Sequence, residues 1–326
     1  VMTVVVCILC RQILIWMDTP ANILEGSYRY IFVIFLGIPV TYLYNLLSGI
    51  MRALGDSKTP LIFLILSSVL NILFDLGAIL IFGLGMGVAG AAWATVTAQG
   101  ISGVLCLIYM KKKYTILKIS KDEWKLNGSC IARLCGMGIP MGLQYSITAI
   151  GSTILQAAVN GLGSSYVAAM TAGSKMFNFT CCPFDALGST MATYGGQNVG
   201  AGKIDRLGKG IKAAMLIGAV YSVVALVVLY FSADYIALLF VDAGETAIIE
   251  LTRRFIMASA LFYIPLTGVN VYRFCIQGMG FSVFAILAGV FEMLARTLVA
   301  ILLIPHIGFN GACLANPAAW IAADLF

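Results

Sequence analysis

Residues 210–231 read GIKAAMLIGAVYSVVALVVLYF, an apolar run with a single charge, Lys212, near its start. A helix needs roughly 20 apolar residues to cross the hydrocarbon core of a bilayer, so this stretch predicts a transmembrane helix. Working outward, the chain divides into ten such runs, at 1–17, 28–51, 59–82, 87–110, 131–160, 164–195, 210–231, 250–275, 281–304 and 308–326. Strand-type alternation is absent, which argues against a β-barrel. Hydrophobic residues make up 61% of the 326 and charged residues 10%, with mean hydropathy +0.98; a soluble domain is about half apolar and a quarter charged. The predicted fold class is an all-α integral membrane protein. The chain opens on Val1 inside an apolar run and stops at Phe326 without a polar tail, so the expectation is a piece of a longer protein.

Basic residues collect in alternate connections. Arg52 and Lys58 flank one; Lys111, Lys112, Lys113, Lys118, Lys121, Lys125 and Arg133 fill another; Lys203, Arg206, Lys209 and Lys212 fill a third. The connections around Asp18 to Glu25, Gly83 to Gly87, Gly161 to Ser164 and Asp234 to Glu250 hold acids or no charge. Cytoplasmic loops carry the Lys and Arg excess, so the basic ends are expected inside, with the protein multi-pass in its membrane. The net charge of +6 then reflects topology, and no nucleic-acid partner is implied. The nine cysteines fall mostly inside apolar runs, where thiols act as small hydrophobes. Cys7 and Cys10 have CxxC spacing with no second pair following, and His306 is the only histidine. Neither pattern suggests a structural metal site.

Two parts of the chain repeat one another. The first holds Asp18, Arg29, Pro39, Leu54-Gly55-Asp56-Ser57 and Gly87-Val88-Ala89-Gly90-Ala91; the second holds Asp242, Arg253, Pro265, Met279-Gly280-Phe281-Ser282 and Gly308-Phe309-Asn310-Gly311-Ala312. The shared skeleton is a Pro within a helix, a Gly-x-Ser turn and a GxxGA helix start. An even number of spans separates the copies, so both face the same way and are related by a pseudo-twofold axis along the membrane normal. The expected plan is two six-helix lobes, twelve spans of which about ten are present. The N-terminal lobe, partial, covers 1–118 with the third to sixth spans, and the C-terminal lobe covers 119–326 with the seventh to twelfth. Residues 111–133 form the cytoplasmic linker between them.

These residues carry a family resemblance. Ser48-Gly49-Ile50-Met51-Arg52-Ala53-Leu54-Gly55-Asp56-Ser57-Lys58-Thr59-Pro60, Asn71-Ile72-Leu73-Phe74-Asp75, Gly138-Ile139-Pro140-Met141-Gly142-Leu143-Gln144 and Gly196-Gln197-Asn198-Val199-Gly200 follow one another in the family's order. The chain resembles the multidrug and toxic compound extrusion (MATE) family, specifically its bacterial DNA-damage-inducible (DinF-like) branch. The resemblance implies a secondary active efflux transporter for amphipathic cations in a bacterial inner membrane, acting as a monomer by alternating access and driven by H⁺ or Na⁺ antiport, with no cofactor.

An ionisable group at mid-bilayer costs about 2.5 to 3.5 kcal/mol on insertion scales, so each one marks a candidate. Asp75 follows Asn71 by four residues, which places both on one helical face. A carboxylate and an amide there suit either Na⁺ or an exchangeable proton. The resemblance implies that this pair belongs to a first-lobe cation site with a Thr from the sixth span, for which Thr95 is chosen and Thr97 is the alternative, and an Asp from a first span outside this sequence. The family's other branch couples through acids on the seventh and tenth spans. Thr148 and Leu266 stand near those positions here, which directs coupling to the first lobe. Glu292 and Arg296, at i and i+4, predict a structural ion pair. Lys175, Asn178 and Asp185 share a helical face and are candidates for the second-lobe substrate cavity, with Gln144, Asn45 and Asn270 as further candidates. Arg253 and Arg254 lie near the end of their span and are expected to snorkel to the surface.

Two other functions fit the hydropathy. A flippase or exporter of lipid-linked oligosaccharide calls for a cavity rich in Arg and Lys, whereas the first lobe presents a lone acid. A membrane-embedded enzyme lacks support, because no HExxH, GxSxG or Walker A sequence occurs.

Overall fold

The structure, a computed structural model, describes residues 2–16, 19–77, 87–117 and 125–326. Asp18, residues 83–86 of the acid-poor turn, Lys118 and Lys121 lie outside the described residues. The described chain is helical throughout and falls into two compact units, Val1–Lys125 and Leu126–Phe326. In the first unit, α1 (Met2–Trp16), α2 (Ala21–Leu36), α3 (Ile38–Ala53), α4 (Lys58–Leu76) and α5 (Gly87–Lys113) follow in order. Helix α5 packs against α2, α3 and α4, and Leu47, Met51, Cys106 and Met110 form the buried centre. The second unit holds α6 (Gly128–Asn160), α7 (Ser164–Gly200), α8 (Asp205–Ala237), α9 (Thr246–Ala260), α10 (Tyr263–Gly278), α11 (Ser282–Leu298), a π-helical turn (Val299–Leu303), α12 (Ile304–Ile307) and α13 (Phe309–Leu325). The stretch expected as a linker, 111–133, is thus partly helical, since α5 runs to Lys113 and α6 starts at Gly128, where the Asn127 side chain caps the Ser129 and Cys130 N–H groups.

Two of the ten predicted runs are broken helices. The run at 28–51 divides at Gly37 into α2 and α3, bent by 41°, and the run at 250–275 divides into α9 and α10, bent by 52°. Pro39 and Pro265, the repeated prolines, each stand in the first turn of the second half, where the missing N–H leaves no hydrogen bond unmade. A Cβ on Gly37 would lie 2.4 Å from the Val96 side chain, so the bend needs glycine to bring α5 close. The repeated Gly-x-Ser turns also match in conformation, with Gly55 at φ +87° and Gly280 at φ +98°, a region that costs other residues dearly. By length and composition four described helices, or six spans counting each bent pair as one, are apolar enough to cross a membrane. Helices α6 and α7 have the length but are diluted by Gly, Ser and Thr.

The packing is that of a lipid-facing protein. On α8, Leu216, Val220, Val223, Val227 and Phe231 form an exposed apolar stripe at helical spacing, while Ala214, Gly218, Ser222, Ala225 and Leu229 turn inward. Small residues let backbones approach: a Cβ on Gly278 would fall 2.0 Å from the Ala192 carbonyl oxygen, which joins α7 to α10. At the other end of α10, Phe184, Tyr221, Tyr263, Phe177 and Trp320 interlock edge-on and stacked. The Tyr263 hydroxyl lies 2.7 Å from Thr180 Oγ1, and the Tyr221 hydroxyl donates to the Thr180 carbonyl.

Candidate functional site

In the first unit Asn71 and Asp75 stand one turn apart on α4, and α5 brings a third polar group to them. Asn71 Nδ2 donates to Thr95 Oγ1 at 3.1 Å, and the Thr95 hydroxyl in turn donates to the Ala91 carbonyl at 3.0 Å. The second bond satisfies the hydroxyl within its own helix, fixes its rotamer and presents its lone pair to Asn71. Thr97, two residues on, is exposed and points away, since two residues turn a helix through roughly 200°. Asp75 Oδ1 is buried and has no hydrogen-bond partner. An orphaned carboxylate oxygen inside a helical bundle is costly unless it holds a proton or a cation. One turn nearer the turn at Gly55, a hydrogen bond from Thr41 to Gln99 links α3 to α5. Asn45, also on α3, is exposed and is not brought to the Asn71, Asp75 and Thr95 group.

At the basic end of this unit Asp56 gathers four donors. It accepts from Thr59 N at 3.0 Å, Thr59 Oγ1 at 2.7 Å, Lys113 Nζ at 3.0 Å and Tyr114 Oη at 2.6 Å. The knot ties the start of α4 to the end of α5. The Tyr114 hydrogen bond, followed by those from Thr59, holds the Asp56 carboxyl well below the usual carboxylate range.

The second unit buries a larger polar network. Glu292 on α11 accepts from Arg273 Nη1 on α10 at 2.7 Å and faces Arg296 Nη1 at 3.4 Å. Arg296 also donates through Nε to Asn316 on α13, and Arg273 through Nη2 to Asn270. Two guanidiniums therefore share one carboxylate and join three helices. Arg273 was not among the candidates read from the sequence. Its signal was a charge count, since the apolar runs at 250–275 and 281–304 hold one buried acid against two inward cations.

Two of the cavity candidates lie in the interior of the unit. Gln144 is 2% exposed and accepts from Gln277 Nε2 at 2.7 Å, and Asn270 is 2% exposed and bonded to Leu266 and Arg273. Both are interior amides that join helices, because a buried amide must find partners, and neither reaches open space. Lys175, Asn178 and Asp185 do lie exposed on α7, with the Lys175 ammonium 5.5 Å from the Phe240 ring. Arg253 and Arg254 pair with Asp234 and Glu250 at 2.9 and 2.6 Å.

Twin Gly-x-Ser turns and twin broken helices define a helical membrane protein built on an internal repeat, and sequence comparison names its family. The sequence model of the MatE family matches residues 1–76 and 140–302. The chain belongs to the MatE family. It is 25% identical over 287 residues to the probable multidrug resistance protein YoeA of Bacillus subtilis (strain 168), covering 86% of this chain and 61% of that protein. It is 30% identical over 256 residues to the probable multidrug resistance protein YpnP of the same organism, covering 78% and 56%. The chain therefore spans about three-fifths of the length of these relatives. The fold is that of a MOP superfamily transporter from Pyrococcus furiosus, with TM-score 0.91 at 19% identity over 99% of this chain and 73% of that one.

Proposed function

We propose that this chain is the greater part of a secondary active exporter of amphipathic cations, working by alternating access between two six-helix lobes, with its basic ends cytoplasmic in a bacterial inner membrane. The observation that carries this reading is the first-lobe group: Asn71 held to Thr95 at 3.1 Å beside a buried Asp75 oxygen without a partner. Asp75 accepts the coupling ion, either H⁺ or Na⁺. Asn71 and Thr95 fix the helix face on which the ion sits. Loading the ion neutralises the carboxylate and favours the lobe conformation that releases cargo; losing the ion restores the charge that favours cargo entry. The multidrug resistance names of two relatives support export of small amphipathic compounds, and the lone first-lobe acid supports a cationic cargo. With the coupling ion carried on a side chain, no cofactor is required, and the transporter acts as a monomer.

The test is dye-cation efflux from energised vesicles containing the full-length protein. Gradient-driven efflux is expected from the wild type, and Asp75→Asn should reduce it at least tenfold with the protein still folded and inserted. Wild-type rates in the variant would end the assignment.

A further inference from the structure

Helix α8 is 33 residues long, about 50 Å at the helical rise, against a hydrocarbon core of about 30 Å. The stretch 213–233 holds no charge and fills that core at about 32 Å, so residues 205–212 stand beyond it, at the level of the lipid headgroups. These first turns are clamped on one side. The Tyr194 hydroxyl donates to the Arg206 carbonyl at 2.9 Å, the Tyr194 ring lies where a Cβ on Gly210 would stand 2.2 Å from it, and Leu207 and Ile211 pack on Met191, Val271 and Cys275. The other side carries Arg206, Lys209 and Lys212, all exposed and without an ion pair among the described residues. Arg253, Arg254 and Lys113, by contrast, each have a carboxylate within 3.0 Å. On a 3.6-residue helix the three free cations lie within about 60° of the centre of the exposed apolar stripe Leu216, Val220, Val223, Val227 and Phe231. Asp205 shares this face at the first position of α8, where the helix N-terminus favours a negative charge, and it leaves the cations in excess.

We infer that this face of α8 is a docking site for an acidic phospholipid of the leaflet at the basic ends, its phosphate held by Arg206, Lys209 and Lys212 and its acyl chains lying along Leu216, Val220 and Val223. Charge alone draws acidic lipid toward any basic segment at a membrane surface. Phase adds the rest, because a chain that hangs from a phosphate at Lys209 runs straight down the apolar stripe. The clamp on the opposite side fixes that phase, so the cations are aimed at the lipid before it arrives. A soluble phosphate ester meets the same cations but gains nothing from the stripe. The site takes a lipid as partner and is independent of cargo and coupling ion.

The experiment uses full-length protein otherwise free of tryptophan, in bilayers, with a fluorescent reporter placed by Leu216→Trp beside the site or by Phe231→Trp at the far end of the same stripe. Quenching by brominated phosphatidylglycerol is compared with quenching by brominated phosphatidylcholine. The Leu216→Trp reporter should show a preference for the acidic lipid of about fivefold or more, and the Phe231→Trp reporter none. Replacing Arg206, Lys209 and Lys212 together by Gln, at exposed positions without partners, should abolish the preference, and Asp205→Asn should raise it. Soluble glycerol phosphate at constant ionic strength should leave it unchanged. Equal preference at the two reporters, or a preference that survives the triple Gln variant, overturns the site. Displacement of the lipid by glycerol phosphate reduces it to a phosphate site and overturns the lipid. Each of these results leaves the export reading standing.

Discussion

Replacing Glu292 by Gln tests whether the second-lobe network is held by charge. Glu292 is 4% exposed, with Arg273 Nη1 at 2.7 Å and Arg296 Nη1 at 3.4 Å, and Arg296 is itself only 7% exposed. Two buried donors, Arg273 Nε and Arg296 Nη1, already lack a hydrogen-bond acceptor. Removing the carboxylate that both guanidiniums contact leaves two inward cations facing an amide. Breaking a buried pair from one side costs about 3–5 kcal/mol, which lowers the folded-to-unfolded ratio by a factor of about 150 to 5,000. The assay is reversible unfolding in mixed detergent micelles, read by the fluorescence of Trp320, which is 3% exposed and stacks on Phe177 on the far side of α13's packing. Coupling Glu292→Gln with Arg296→Met removes one of the stranded cations and should recover part of the loss, so the double variant lies well above the sum of the two single ones. A loss under about 1 kcal/mol for Glu292→Gln, or strict additivity in the pair, would refute the charge argument and leave the network as ordinary packing.

Three further outcomes follow. Asp56→Asn should destabilise the first lobe by about 1–3 kcal/mol, since it weakens a helix-start contact and two bonds from outside α4. Because the native carboxyl is held below its ordinary value, that stability is present above about pH 4 and drains away as pH falls toward the depressed native value, so unfolding curves of wild type and variant should converge on acidification. Gly278→Ala should cost about 1–3 kcal/mol or more, because the atoms a Cβ would meet at 2.0 and 2.7 Å are Ala192 backbone and cannot swing aside; Gly49→Ala, which meets nothing within 4 Å, is the control and should stay within about 0.5 kcal/mol. Asn71→Ala should slow gradient-driven efflux without abolishing it, since it removes the group bonded to Thr95 and leaves the Asp75 carboxylate in place; efflux equal to wild type would contradict its part in the site.

Much of the fold was legible because a bilayer imposes one coarse rule, and every described helix lies in or beside a run picked out by hydropathy. The breaks at Gly37 and at 261–262 were less so. An apolar run keeps its composition across a bend, and only the repeated Pro39 and Pro265 hinted at it, because a proline reads alike inside a kinked helix and at the start of a new one. For the candidate site, spacing put Asn71 and Asp75 on one face but offered both Thr95 and Thr97 as partners. Helical phase allows only one of them to face α4, and which one depends on how α5 is rotated in its packing, a long-range property. Arg273 escaped notice for a related reason. It acquires meaning from another helix, through Glu292 on α11. The amides Gln144 and Asn270 are seen to join helices only once their partners are placed, since polar character inside a span marks helix joints as often as cavities.

The most direct test of the central claim is counter-ion movement driven by cargo alone. Full-length protein in vesicles with no imposed ion gradient is given a dye cation on one side, and proton and ²²Na⁺ fluxes are followed together. The account predicts that one of the two ions moves opposite to the dye in the wild type and that this flux disappears in Asp75→Asn. An opposing ion flux that persists at the wild-type ratio in Asp75→Asn would contradict it.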